Sequence, residues 1–252
     1  MKPVLIIRTG RAPDRIRARY GDFPQWFQRA ARLPTGRVRI VDVAAGEELP
    51  APRLTAGAII TGSGAMVTER LDWSERTAAW LRDAMDVDLP LFGVCYGHQL
   101  MAHALGGRVD YLPGGREIGT QTITRLAEAT PDILLDSAPE RFAAHTTHEQ
   151  AVLEPPPGAV QLARSERDPH QVLRYGKHAI STQFHPEFSA EVMRAYVLHK
   201  AGGVRRELQQ LDVFRDVAAT PEARSLLARF ARRAGWHELP ASAAQAAGNG
   251  AP

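Results

Sequence analysis

The chain has 252 residues, of which 44% are hydrophobic, and a net charge of +3, which suits a globular protein with a full-sized core. It holds no run of about 18 apolar residues, and its opening "MKPVLIIRTGRAPDR" is too charged for a secretory signal, so no membrane segment and a cytoplasmic location are expected. The pI near 9.3 does not point to nucleic acid, because the basic residues are scattered singly along the chain.

Four short apolar runs come first: "PVLIIR" (3–8), "RVRIVDV" (37–43), "AGAIIT" (56–61) and "DLPLFGV" (88–94). Strands that are apolar on both faces belong to a parallel sheet covered by helices. The intervening segments have helical character, notably 71–85, where Asp72 is the expected N-cap and Trp73 and Trp80 fall on one core stripe. From residue 118 the pattern shortens to alternating pieces at 118–126, 158–165 and 171–184, with a hairpin turn expected at 175–178. An antiparallel extension of the sheet fits these pieces. Helical patterns return at 190–200 and 222–235, and "LPASAAQAAGNGAP" at the end has the composition of a disordered tail. The fold class is therefore α/β, with a small antiparallel extension and C-terminal helices.

The only cysteine lies inside "LFGVCYGHQLMAHALGG" (91–107), where an apolar strand runs into a helix. Strand, glycine, x, nucleophile, x, glycine, helix is the sharp turn that exposes a nucleophile at the carboxyl end of a sheet, and Gly93 and Gly97 bracket Cys95 in that spacing. Such a turn sets the sulfur at a helix N-terminus, whose open N–H groups favour negative charge. The same pentapeptide also fits a buried cysteine in a tightly packed turn, and by itself it supports both readings. A thiol nucleophile needs a base and the base an orienting group. About ninety residues on, "ISTQFHPEF" ends an apolar run with His185 and Glu187, which meets that need if the strand joins the same sheet.

Together, "GVCYGHQLMAHALGG" and "QFHPEF" resemble the two signature motifs of the class I, triad-type glutamine amidotransferases, the glutaminase type found in GMP synthetase. The resemblance runs over about residues 2–188. It implies a flavodoxin-like, three-layer sandwich with a mostly parallel central sheet. It also implies Cys95 as nucleophile, His185 as general base and then acid, and Glu187 as the carboxylate that orients His185. Oxyanion donors are implied at the Tyr96 N–H and in the loop "TGSGAM" (61–66), where Gly62 and Gly64 stand at the glycine positions, and Gln99 matches a substrate contact. Attack on the glutamine side-chain amide then forms a γ-glutamyl thioester and releases ammonia, and water frees glutamate.

Departures from the family pattern sit at Ser63, in the middle of the glycine loop, and at "HTTHEQAV" (145–152), where Glu149 replaces a glycine beside Thr147 and His148. Residues 1–203 are expected to form the amidotransferase domain, 204–239 a helical extension and 240–252 a disordered tail. No segment after Phe188 suits a synthetase, so ammonia is expected to pass to a separate subunit or to water. The nine histidines do not form a metal signature: His98 and His103 are five apart on the elbow helix, and His145 and His148 lie near a loop with no HExxH. No metal, cofactor, nucleic acid or membrane is expected. Two other functions fit the same residues: a γ-glutamyl peptidase or hydrolase acting on glutathione-like compounds, and a catalytically silent regulatory subunit.

Overall fold

The computed structural model describes residues 1–200 and 211–237. The expected tail at 240–252, residues 204–210 and 238–239 of the expected extension, and the last three residues, 201–203, of the expected amidotransferase domain lie outside the described residues.

A nine-stranded sheet organises the chain. Its parallel half comprises β1 (Val4–Arg8), β2 (Val38–Asp42), β3 (Gly57–Ile60), β4 (Leu91–Val94) and β11 (Ala179–Thr182), in the order β2-β1-β3-β4-β11. That order is the flavodoxin-like one, in which ligands bind where the carboxyl ends of the strands open. Beyond β11 the sheet continues antiparallel through β10 (Val172–Arg174), β9 (Val160–Arg164), β6 (Glu117–Arg125) and β7 (Arg141–His148). A separate two-stranded sheet pairs β5 (Arg108–Tyr111) with β8 (Gln150–Glu154).

The strand sequences are uninterrupted in apolar character because both faces are covered. Val4 and Ile6 point into one core, under α1 (Asp14–Tyr20), α2 (Phe23–Ala30), α5 (Ala190–Lys200) and α6 (Pro221–Arg233). Leu5 and Ile7 point into the other, under α3 (Asp72–Asp86) and α4 (Tyr96–Ala104). Trp80 is buried in that second core and Trp73 packs against it, as their seven-residue spacing indicates.

Helix ends aim several of these elements. Asp22 caps α2, accepting from the Phe23 N–H at 2.9 Å while Gln25 accepts from the Asp22 N–H at 3.1 Å, which sets Phe23 at the start of the helix. The expected cap of α3 is corrected: Leu71 is the N-cap, without a side-chain bond, and Asp72 is the first helical residue. There its carboxylate stabilises the helix through the dipole instead of by capping.

Trp236, just past α6, is fully buried and donates from Nε1 to the Ala56 carbonyl at 3.1 Å. Gly57 makes room for it: a Cβ there would sit 2.4 Å from the indole, and its φ of 149° also disfavours any side chain. The 175–178 turn joins β10 to β11 as expected, with the Tyr175 N–H donating to the Ala179 carbonyl at 3.0 Å. Strands β5, β7 and β8 were not anticipated from the sequence pattern. Among the described residues, no helix is long and apolar enough to cross a membrane.

Candidate active site

Strand β4 ends at Val94 and α4 begins at Tyr96, so Cys95 alone makes the turn between them. It does so at φ 52° and ψ −101°, a conformation that costs a non-glycine residue roughly 1–3 kcal/mol. The surroundings hold it there. The Cys95 N–H donates to the Thr182 carbonyl at 2.9 Å, its own carbonyl accepts from the Gln99 N–H at 3.0 Å, and the Gly97 N–H donates to the Thr61 carbonyl at 3.1 Å.

The flanking glycines act by size. A Cβ on Gly97 would lie 2.4 Å from the Ile60 carbonyl oxygen, and one on Gly93 would lie 2.6 Å from the Met101 sulfur. They let α4 press against β3 and β4, while the backbone strain falls on the cysteine itself.

Because β11 pairs with β4 in parallel register, Thr182 opposite Val94, the chain beyond β11 emerges beside the elbow. His185 donates its backbone N–H to the His145 carbonyl at 2.8 Å, and its ring stacks on Phe188 with centroids 4.1 Å apart. Its Nδ1 lies 2.7 Å from Glu187 Oε1, and both side chains are buried. Burial works against charge on this imidazole, but the Glu187 carboxylate and the Cys95 side chain outweigh it and push His185 up to about 10. Nε2 is buried without a partner of full hydrogen-bond geometry, and the ring interacts with the Cys95 side chain that shares its cavity. Contacts of this kind often tighten only when substrate is bound.

The remaining expected residues gather around this pair. Gly62 adjoins the imidazole, since a Cβ there would sit 3.1 Å from His185 Cε1, and Gly64 lines the cavity with Cys95. Buried Thr9 and Thr61 fix that loop, their hydroxyls donating to the Gly62 carbonyl at 3.1 Å. Tyr96 contributes its N–H to the open first turn of α4, and its ring turns away to Ser74, 2.7 Å from the phenol oxygen. Gln99 is buried, and its amide NH₂ donates to the Gln150 carbonyl at 2.6 Å and to Gln183 Oε1 at 3.0 Å, which directs its own oxygen.

Thr147, His148 and Glu149 line a small recess beside Cys95, and Glu149 forms an ion pair with Arg116. Arg116 was not singled out from the sequence, because only the β6–β7 pairing brings "GGREIG" against "HTTHEQ". Phe23 and Phe188, whose ring centroids lie 6.4 and 4.1 Å from that of the imidazole, were not singled out from the sequence.

Other histidines are tied into the structure. His98 Nδ1 lies 2.7 Å from Ser181 Oγ, and burial pushes His98 down to about 3. His103 Nε2 lies 3.0 Å from Glu75. His145, beside His185, is pushed down to about 4 by burial and by the neighbouring imidazolium. His148 sits between Glu117 and Asp168, at 3.6 and 3.3 Å, with all three side chains buried.

The family model for class-I glutamine amidotransferases matches residues 29–201. The chain belongs to this family. An amidotransferase of known structure from Methylobacillus flagellatus is similar to it with a TM-score of 0.73 at 24% identity, over 95% of this chain and 97% of that one. Among relatives in sequence, γ-glutamyl peptidase 5 of Arabidopsis thaliana is 30% identical over 54% of this chain and 55% of its own. The glutamine-hydrolysing GMP synthase of Aeropyrum pernix is 34% identical over 57% of this chain. The match spans about half of the peptidase and only 26% of that GMP synthase.

Proposed function

We propose that this amidotransferase hydrolyses a γ-glutamyl amide, with glutamine as the simplest substrate, through a thioester on Cys95. The observation that carries the reading is the buried line from Glu187 through His185 to a cysteine held on a strained turn at φ 52°. The Cys95 sulfur attacks the γ-carbonyl carbon, forming a C–S bond and placing negative charge on the carbonyl oxygen. N–H groups of Tyr96 and of the Gly62–Gly64 loop receive that charge, and losing one such donor typically costs about 3 kcal/mol. The C–N bond then breaks as His185 gives its proton to the departing nitrogen, so glutamine yields ammonia. Water attacks the thioester, His185 takes its proton, and glutamate leaves with the thiolate restored. Glu187 holds the imidazole in the tautomer that serves both steps. Ammonia passes to water or to a separate synthetase subunit.

Glutamate release from glutamine by the purified chain tests this reading. We expect Cys95→Ala to abolish release, and a glutamyl adduct on Cys95 to be trapped by acid quenching and seen by mass spectrometry. Full activity in Cys95→Ala would overturn the mechanism.

A further inference from the structure

Two recesses diverge from Cys95. One is small, about 50 Å³, and is lined by Gln99, Thr147 and the Arg116–Glu149 ion pair. The other is about 1240 Å³ and runs from Cys95 and His185 past Phe23 to α1 and α5. An amide attacked at its carbonyl carbon has two arms, and the recesses divide them. The small one suits the glutamyl arm, whose α-ammonium and α-carboxylate meet one anion and one cation there. The large one is left for whatever the amide nitrogen carries.

The walls of the large cavity say what that group is. Arg11, Arg15, Arg19, Arg194 and Lys200 line it, against the carboxylates Asp14 and Glu191. Arg11 is matched by Asp42 at 2.9 Å, and Asp14 is taken by Arg17 at 2.9 Å. Arg15 and Arg19 are exposed on α1 and have no carboxylate partner among the described residues; Arg19 lies over the Tyr20 ring at 5.3 Å. Ammonia, the leaving group from glutamine, uses none of this wall. A carboxylate does, since an arginine fork matches its geometry and charge.

We propose that the large cavity is a leaving-group subsite for γ-glutamyl compounds whose amine portion carries a carboxylate, recognised by Arg15 and Arg19. This rests on the γ-glutamyl thioester reading above. The chemistry is unchanged: the γ-carbonyl C–N bond breaks, Cys95 gains the acyl group, and the His185 proton leaves on the amine of the released peptide.

The test compares kcat/KM for γ-Glu-Ala-Gly and for its C-terminal amide, measured as glutamate release, with glutamine alongside. The free acid is expected to be favoured by about tenfold or more, the scale of two charge-assisted contacts near the surface. That preference falls toward unity in Arg15→Gln/Arg19→Gln, and at high salt. Equal turnover of acid and amide, or a preference the double variant leaves intact, overturns the proposal. So does cleavage of glutamine but of neither peptide, with the γ-glutamyl reading surviving. If none of the three compounds is turned over, the γ-glutamyl reading itself fails and takes the proposal with it.

Discussion

Replacing Glu187 with Gln keeps the shape of the buried pair with His185, 2.7 Å apart, and removes its charge. His185 is lifted from 6.5 to about 10 against the effect of burial, and the Glu187 carboxylate leads the favourable contributions. At about 1.4 kcal/mol per unit, the net preference for the imidazolium is on the order of 5 kcal/mol. An opposite charge at this distance accounts for about one to three units of it. The sign follows from the direction: a raised pKa keeps the imidazolium protonated up to about pH 10, so it can protonate the leaving nitrogen throughout the neutral range. In Glu187→Gln the proton is lost at lower pH, and the buried ring is no longer held in one tautomer. The assay is glutamate release from glutamine across pH 6 to 10.5, with melting temperature as a check on folding. We expect kcat/KM to fall roughly ten-thousandfold, comparable to loss of the orienting carboxylate in other triads, and the alkaline limb to move down by about two units. Glu187→Asp, which keeps the charge, should recover part of the rate. An unmoved alkaline limb together with a near-normal rate in Glu187→Gln would refute this account of His185.

Three further outcomes follow from packing and buried charge. Gly97→Ala forces a methyl to within 2.4 Å of the Ile60 carbonyl, so a loss of about 1–3 kcal/mol is expected in urea unfolding, along with displacement of the elbow. Trp236→Ala empties a fully buried site and strands the Ala56 carbonyl, which should cost about 3–5 kcal/mol and be read as a lowered Tm. A Tm within a degree or two of wild type would show that α6 is not part of the cooperative core. Burial works against the Asp168 charge, but the His148 ring nitrogen 3.3 Å away wins and holds the carboxyl below its usual value of 3.8. Its stabilisation is present above that value and lost as pH falls through the folded-state pKa, so the acid limb of Tm against pH should flatten in Asp168→Asn. An identical acid limb in the variant would assign that loss to other carboxylates.

Much of this protein is legible in its sequence. Runs such as "VLII" and "GAII" had to be covered on both faces, because nothing in them could face water, and that alone required a parallel sheet between helices. Cys95 between Gly93 and Gly97 marked the elbow, and "QFHPEF" marked its base, because both features are local in sequence. The β5–β8 pair and β7 were less legible: "RFAAHTTH" alternates weakly, and its eight residues become a strand through pairing along β6. Chemistry that depends on distant partners was hidden as well. Arg116 meets Glu149 at the end of a strand pair, and Arg15 shares a cavity with Cys95 only because α1 packs beside α5. Which residue bears the strain was also a tertiary decision. Size excludes a side chain at Gly97 and Gly93, so the left-handed turn falls on Cys95, and packing from both sides keeps it there.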